Sequence, residues 1–192
     1  NLLRLWNLPL DLTPFRESPV DEVARFDMLA TVLQSPELNF RAYQTDTLGE
    51  ALRPDMPVIV RLARSDEFAG WVLITAMSGE VLTVIDPING SRSVRRSVLE
   101  PLVRHAIVLF RDTAGLAGVA AGEESDRVRV LQALLAREGY YRGEPDGKYG
   151  SGTSQAIQSL QRGVGLEQTG TITPATLAYI SALLDARRPS LK

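Results

Sequence analysis

Residues 139–150 read GYYRGEPDGKYG. Asp146-Gly147 and Gly150 allow a tight turn with positive φ, and the Asp146 carboxylate is suited to accept local backbone N–H groups. Tyr140, Tyr141 and Tyr149 gather aromatic surface beside that turn. Each offers an apolar face and a hydroxyl, a pairing that suits sugar rings and amide-rich peptides. Helical patterns lie on both sides. Upstream, Val128, Leu131, Leu134 and Leu135 share one face, and Gly139 stands where a helix ends in a left-handed residue. Downstream, Ala156, Ile157, Leu160 and Val164 repeat the spacing. A third helix opens at Thr173-Pro174, an N-cap residue with proline behind it, and presents Leu177, Ile180, Leu183 and Leu184. The expectation is three short helices with one elaborate turn, a core small enough for a neighbour or ligand to matter.

Further upstream the composition changes. Residues 113–125, TAGLAGVAAGEES, hold three glycines, four alanines and no aromatic residue. They read as a flexible connector in which Leu116 and Val119 could still pack. Before it the patterns are mixed. Residues 21–34 carry helical spacing, and residues 47–52 suggest a second short helix stopped by Pro54 and Pro57. Residues 58–60 form a short buried run. Residues 71–75 and 81–85 flank a Ser78-Gly79 turn as a hairpin would, residues 86–90 are turn chemistry again, and residues 106–110 form another apolar strand. The predicted fold class is α+β, an antiparallel sheet with an early helix followed by a small three-helix domain. The expected bounds are 1–112, a linker at 113–124, and 125–192.

Composition narrows the chemistry. The 192 residues contain no cysteine and one histidine, His105, with a formal net charge of −2. Disulfide scaffolds, thiolate metal sites and cysteine nucleophiles are excluded, and no H-x-x-x-H metal spacing is possible. Neither a metal nor a cofactor is expected. Residues 1–112 hold 12 basic and 15 acidic groups and residues 113–192 hold 9 and 8, so neither half offers the basic face that nucleic acid requires. No apolar run approaches the length of a membrane helix. The chain opens at Asn1 without an initiator Met, as an excised piece of a longer protein would, and any targeting segment or membrane anchor is expected outside it.

The pattern Leu131-Gln132, Gly139-Tyr140-Tyr141, Asp146-Gly147-x-Tyr149-Gly150-x-x-Thr153, Ala156-Ile157, Gln161, Gly165-Leu166, Gly170, Thr173 and Thr176-Leu177 resembles the three-helix peptidoglycan-binding domain family over residues 125–185. The resemblance implies a non-catalytic module that holds the stem peptide of cell-wall peptidoglycan in a shallow groove. The motif residues Asp146, Gly147, Gly150 and Thr153 either touch ligand or shape the loop and cap the helix. Side-chain chemistry favours Tyr140, Tyr149, Arg142 and Gln161 for a groove, with Tyr141 beside them.

Residues 18–112 are similar to the C39 peptidase family, on residues 57–62, 70–74 and 106–111 and on the Asp86-Pro87-x-x-Gly90 turn. That resemblance implies a papain-like fold. It also implies a lost triad, with Ala24 near the nucleophile position, Gly70 at the histidine position and only Asp86 retained. Alanine cannot attack and glycine cannot carry a proton. His105 reads as a strand-end residue and Asp86 as a turn residue, so no enzyme activity is expected.

A dead peptidase-like domain, a linker and a wall-binding domain, in that order, resemble the periplasmic region of the general secretion pathway A-protein family of type II secretion. The implied partners are peptidoglycan and the B protein of the same assembly complex, the implied place is the periplasm as part of an inner-membrane protein, and the implied role is secretin assembly through the wall. Two alternatives stay open, the wall-targeting region of a cell-wall hydrolase and the substrate-recognition domain of an exporter.

Overall fold

The computed structural model describes residues 40–63 and 70–192. It divides into two compact units, Asn1–Arg111 with Ala186–Lys192, and Asp112–Asp185. The predicted helix at 21–34 and Ala24 lie outside the described residues.

In the first unit six described strands form one antiparallel sheet in the order β1-β6-β2-β3-β4-β5. They are β1 (Phe40–Thr45), β2 (Val58–Leu62), β3 (Trp71–Ser78), β4 (Val81–Asp86), β5 (Gly90–Arg95) and β6 (Val103–Arg111). β2 and β4 alternate buried and more exposed residues, as strands with one face on a core do. β6 instead buries Ala106 to Phe110 without a break, so it is covered on both faces. Helix α1 (Leu48–Leu52) buries Leu48, Ala51 and Leu52 and packs on β6 and β1. Within it Glu50 accepts hydrogen bonds from Thr45 Oγ1 at 2.7 Å and Thr47 Oγ1 at 3.4 Å. Burial pushes the Glu50 carboxyl up, but hydrogen bonds from Tyr43, Thr45 and Thr47 outweigh it and hold it below its ordinary value. A four-residue helix α2 (Arg96–Leu99) and a 3₁₀ turn (Glu100–Leu102) lead into β6.

The expected hairpin is present, with Gly79 at φ +56° in its turn. β3 bulges between Ile74 and Ala76. Near that irregularity, Met77 N donates to Leu191 O at 2.6 Å, which ties the C-terminal tail to the end of β3. Leu191 is fully buried, Ser190 Oγ donates to Asp55 Oδ2 at 2.7 Å, and Arg188 lies 3.5 Å from the same carboxylate. The last seven residues therefore belong structurally to the sheet unit.

The second unit holds α3 (Asp126–Arg137), α4 (Ser151–Gly163) and α5 (Pro174–Leu184). Their inward faces bury Val128, Leu131, Leu135, Ile157, Leu160, Leu177 and Ile180. Ser125 caps α3 by accepting from Val128 N, and Thr173 caps α5 by accepting from Thr176 N. The stretch read as a connector is folded onto this unit. The Asp112 carboxylate, 1% exposed, accepts from Leu116 N and Ala117 N, both at 2.8 Å, while Leu116 and Val119 are buried. Gly122 N donates to Tyr149 O, Tyr149 N to Glu123 O and Ser125 N to Gly147 O, so residues 122–125 run beside the turn at 147–149 as a small ladder.

Candidate functional site

α3 ends where its sequence says it should. Gly139 has φ +81°, Gly139 N donates to Ala136 O, and Tyr140 N donates to Leu135 O at 2.7 Å, the paired bonds of a Schellman cap. The chain then passes through residues 140–146 before the turn at Gly147. That turn is held from inside by Gln132 on α3. Gly147 N donates to Gln132 Oε1 at 2.8 Å, and Gln132 Nε2 faces Asp146 Oδ1 at 2.8 Å, Lys148 O at 3.0 Å and Thr153 Oγ1 at 3.1 Å. Tyr141 Oη stands 3.3 Å from the same nitrogen. An amide NH₂ has two hydrogens, so these acceptors share them. Hydrogen bonds from Lys148 N and Gln132 hold the Asp146 carboxyl below its ordinary value.

α4 leaves the turn with Gly152, Gln155, Ala156 and Ser159 on one stripe, spaced i, i+3, i+4 and i+7. With residues 139–143 this stripe lines a cleft of about 580 Å³. Its floor is low because Gly152 and Ala156 project little, and Tyr140 and Tyr141 supply aromatic walls. Tyr141 lies over Gly143 and Gly152, and Tyr140 reaches toward Gly163 on the next turns of α4. Added β-carbons at Gly143 and Gly163 would meet the hydroxyl oxygens of Tyr141 and Tyr140 at 3.1 and 2.8 Å, so both glycines make room for the aromatic walls. The polar groups at the rim are Arg142, Gln155 and Ser159.

The residues singled out from sequence therefore separate. Tyr140, Tyr141 and Arg142 come together at the cleft. Gly150 is the exposed N-cap of α4, with no side chain to cap it. Asp146, Gly147 and Thr153 are joined by Gln132 inside the turn. Tyr149 and Gln161, expected on a groove, lie instead in the interior. Tyr149 is 3% exposed, its hydroxyl donates to Gly170 O at 3.0 Å, and burial pushes that hydroxyl up to about 12. Gln161 is fully buried. Its Oε1 accepts from Gly170 N at 2.9 Å, and its Nε2 lies 3.0 Å from each of Thr169 Oγ1, Thr171 O and Thr176 Oγ1. Buried backbone polar groups need partners, and these two side chains supply them.

In the sheet unit Gly70 precedes β3 at φ +92°. Asp86 closes β4 and is 1% exposed. Its Oδ1 accepts from Ile88 N at 2.8 Å and Asn89 N at 3.1 Å, and its Oδ2 from Asn89 Nδ2 at 3.3 Å. This is an Asx-type turn, the structural role that Asp-Pro-x-x-Gly suggests. His105, early in β6, sits between Asp46 Oδ1 at 2.8 Å and Gln44 Oε1 at 2.9 Å on the neighbouring strand and loop.

Gln132 stands in the family pattern, but its part in holding the turn is not evident from its residue type. Its signal was a repeat. Leu-Gln stands at 131–132 and again at 160–161, and Gly-x₅-Thr stands at 147–153 and again at 170–176.

Residues 124–180 match the family model described as "Putative peptidoglycan binding domain". The fold is similar to the crystal structure of a periplasmic domain of the EpsAB fusion protein of the Vibrio vulnificus type II secretion system. That likeness has TM-score 0.50 and 16% identity, over 93% of this chain and 78% of that one. A peptidoglycan-binding protein from Clostridioides difficile, solved in complex with glutamine hydroxamate, aligns at TM-score 0.34 and 23% identity over 65% of this chain and 68% of its own. No curated protein matches the sequence.

Proposed function

We propose that this chain is a non-catalytic periplasmic region that anchors a type II secretion assembly factor to the cell wall. The helical unit holds peptidoglycan in the cleft between residues 139–143 and α4, and the sheet unit offers a surface to a B-type partner protein. One observation carries the wall-binding part: every residue lining the cleft falls inside the 124–180 match to a peptidoglycan-binding family. The cleft chemistry supports it, because tyrosine faces, a low floor and amide and hydroxyl groups at the rim suit a short peptide bearing amides.

The likeness of the fold to a periplasmic domain of a type II secretion fusion protein supports the secretion assignment and the partner. The non-catalytic part of this reading is supported by the chain's own residues. With no cysteine in the sequence, no side chain at Gly70, and Asp86 engaged in its own turn, the cysteine-peptidase mechanism has no nucleophile and no base at the corresponding positions. A retained fold with lost chemistry leaves a surface for recognition, since function resides in sites rather than folds.

The test is co-sedimentation of the full chain with purified sacculi, beside Gly152→Phe. Gly152 is exposed on the first turn of α4, and a β-carbon there meets only Tyr141 Cε2 at 3.8 Å, so the ring fills the cleft without disturbing the core. The wild type should pellet with sacculi and the variant should stay in solution with its unfolding midpoint unchanged. A Gly152→Phe chain that pellets as well as the wild type overturns the cleft as the binding site. Native co-purification with the periplasmic region of the B protein tests the partner, and a clean failure overturns the secretion reading.

A further inference from the structure

The cations of the helical unit are committed to neighbours, with one exception. Arg127 is bonded to Glu123 and to Gly115 O, Arg129 to Asp126, Arg137 to Glu138 and Leu183 O, and Arg162 to Gln168, while Lys148 lies 3.5 Å from Glu124. Arg142 is exposed at the cleft and, among the described residues, makes no hydrogen bond or ion pair. The nearest acidic residues in sequence do not change this. Glu138 is taken by Arg137, Asp146 accepts from Gln132 Nε2 and Lys148 N, and Glu144, two residues on, makes no ion pair among the described residues.

The position of Arg142 is also distinctive. It belongs to the run between the Schellman cap at Gly139 and the pinned turn at Gly147, and the turn itself is satisfied without it. A planar five-donor guanidinium beside two tyrosine faces fits a carboxylate bidentately. A neutral glycan offers it no charge to pair with.

Resting on the wall-binding reading above, we infer that the cleft recognises the charged end of a wall peptide, with Arg142 as the anchor for a free carboxylate. Gln155 lies along the same wall of α4, placed to meet the amide groups of the peptide behind that carboxylate, and Ser159, whose hydroxyl donates to Gln155 O at 2.9 Å, offers its oxygen as an acceptor. The ligand class is thus an anionic stem peptide, and the cleft discriminates against the same peptide with its carboxylates converted to carboxamides.

The experiment titrates the full chain with two synthetic stem peptides that differ only in free carboxylate against carboxamide, with sacculus sedimentation in parallel. The wild type should bind the carboxylate form about tenfold more tightly, a preference that shrinks as salt is raised. Arg142→Gln should bind both forms equally at the weaker level, with its unfolding midpoint unchanged because the side chain holds nothing in the fold. Arg142→Lys should recover part of the preference, since a point charge replaces the fork. Equal binding of the two peptides by the wild type, or a preference that survives Arg142→Gln, overturns the anchor while sedimentation with sacculi upholds the wall-binding reading. Loss of both peptides and of sacculi overturns both.

Discussion

Two turns of the helical unit are closed by the same device, and only one of them borders the cleft. In each, a buried glutamine on the preceding helix, midway along α3 for Gln132 and in the last turn of α4 for Gln161, accepts from the N–H of a glycine at positive φ. Its amide nitrogen faces the side chain before that glycine, the carbonyl after it, and a threonine hydroxyl six residues on. For Gln132 these are Gly147, Asp146, Lys148 and Thr153, and for Gln161 they are Gly170, Thr169, Thr171 and Thr176. Both preceding helices end in a Schellman cap, at Gly139 and at Gly165, with Leu166 N donating to Gln161 O at 2.7 Å in the second. What differs is the chain between cap and turn, residues 140–146 in the first and only 166–169 in the second. The longer run carries Tyr140, Tyr141 and Arg142, the aromatic and charged lining of the cleft. The shared pin builds the turn, and the added length builds the site.

Removing a pin is the harshest way to break this comparison. Gln161→Ala leaves the buried Gly170 N without its acceptor and removes the donor shared by Thr169 Oγ1, Thr171 O and Thr176 Oγ1, which keep other partners, at a cost of about 2–4 kcal/mol. Gln132→Ala has a similar cost, and it also releases the Tyr141 hydroxyl and the loop that carries Arg142. Hydrogen exchange at the Gly147 and Gly170 amides reads each turn separately in the intact chain. The expected pattern is loss of protection at the unpinned glycine in each variant. Sacculus binding per folded molecule should fall in Gln132→Ala and persist in Gln161→Ala. Equal loss of binding in both would mean that the two turns do not divide architecture from recognition.

The glycines give a smaller effect of the same kind. At Gly170, φ +68°, an added β-carbon would stand 2.6 Å from Ser154 Oγ, which itself donates to Gly170 O at 2.9 Å. At Gly147, φ +81°, the contact is 3.1 Å to Ser125 O, which accepts from Arg129 N at the start of α3. Both positions disfavour any residue with a β-carbon. Gly170→Ala and Gly147→Ala should each cost about 1–3 kcal/mol, with Gly170→Ala the larger because it also displaces the Ser154 hydroxyl. Chemical denaturation followed by far-ultraviolet circular dichroism measures this. A negligible cost at either site would show that its turn tolerates rearrangement.

Much of this architecture is legible in the residues, and the reasons for the rest are physical. The caps at Gly139 and Thr173-Pro174 and the Asx turn at Asp86 follow from local chemistry that few residue types can supply, so sequence suffices for them. β5 and β1 are harder to read. Gly90–Arg95 contains a single apolar residue, Val94, and Phe40–Thr45 is half polar, because strands at the margins of a described sheet need little apolar pattern. The tail is harder still, since one buried leucine, Leu191, has no periodicity to show. At the site, Arg142 and the two tyrosines stand out by chemistry. A buried glutamine satisfying backbone groups and an exposed one awaiting ligand are the same letter, which is why Gln161 and Tyr149 point to a groove in sequence and lie in the interior in the structure.

The mildest test uses the one titratable member of the paired pins. Asp146 precedes the pinned glycine in the first turn, and Thr169 takes that place in the second. Bonds from Lys148 N and Gln132 Nε2 favour the ionised carboxylate and lower its pKa in the folded state. A folded pKa below the unfolded one means that the stabilisation is present above the ordinary aspartate range. It is lost as pH falls from about 4 through the folded value. Asn at 146 can accept the same two bonds but cannot titrate. Asp146→Asn should therefore be slightly less stable than wild type at pH 7, and the gap should close as the pH drops below about 4. Thermal unfolding from pH 7 to pH 2.5 measures this. Glu123, also held below its ordinary value by Ser125 and Arg127, titrates in both proteins and cancels in the comparison. Exchange at Gly147 should then accelerate in acid in the wild type more than exchange at Gly170, whose pin has no proton to gain. A uniform acid response of the two amides would place the sensitivity in the unit as a whole rather than in the turn that carries the cleft.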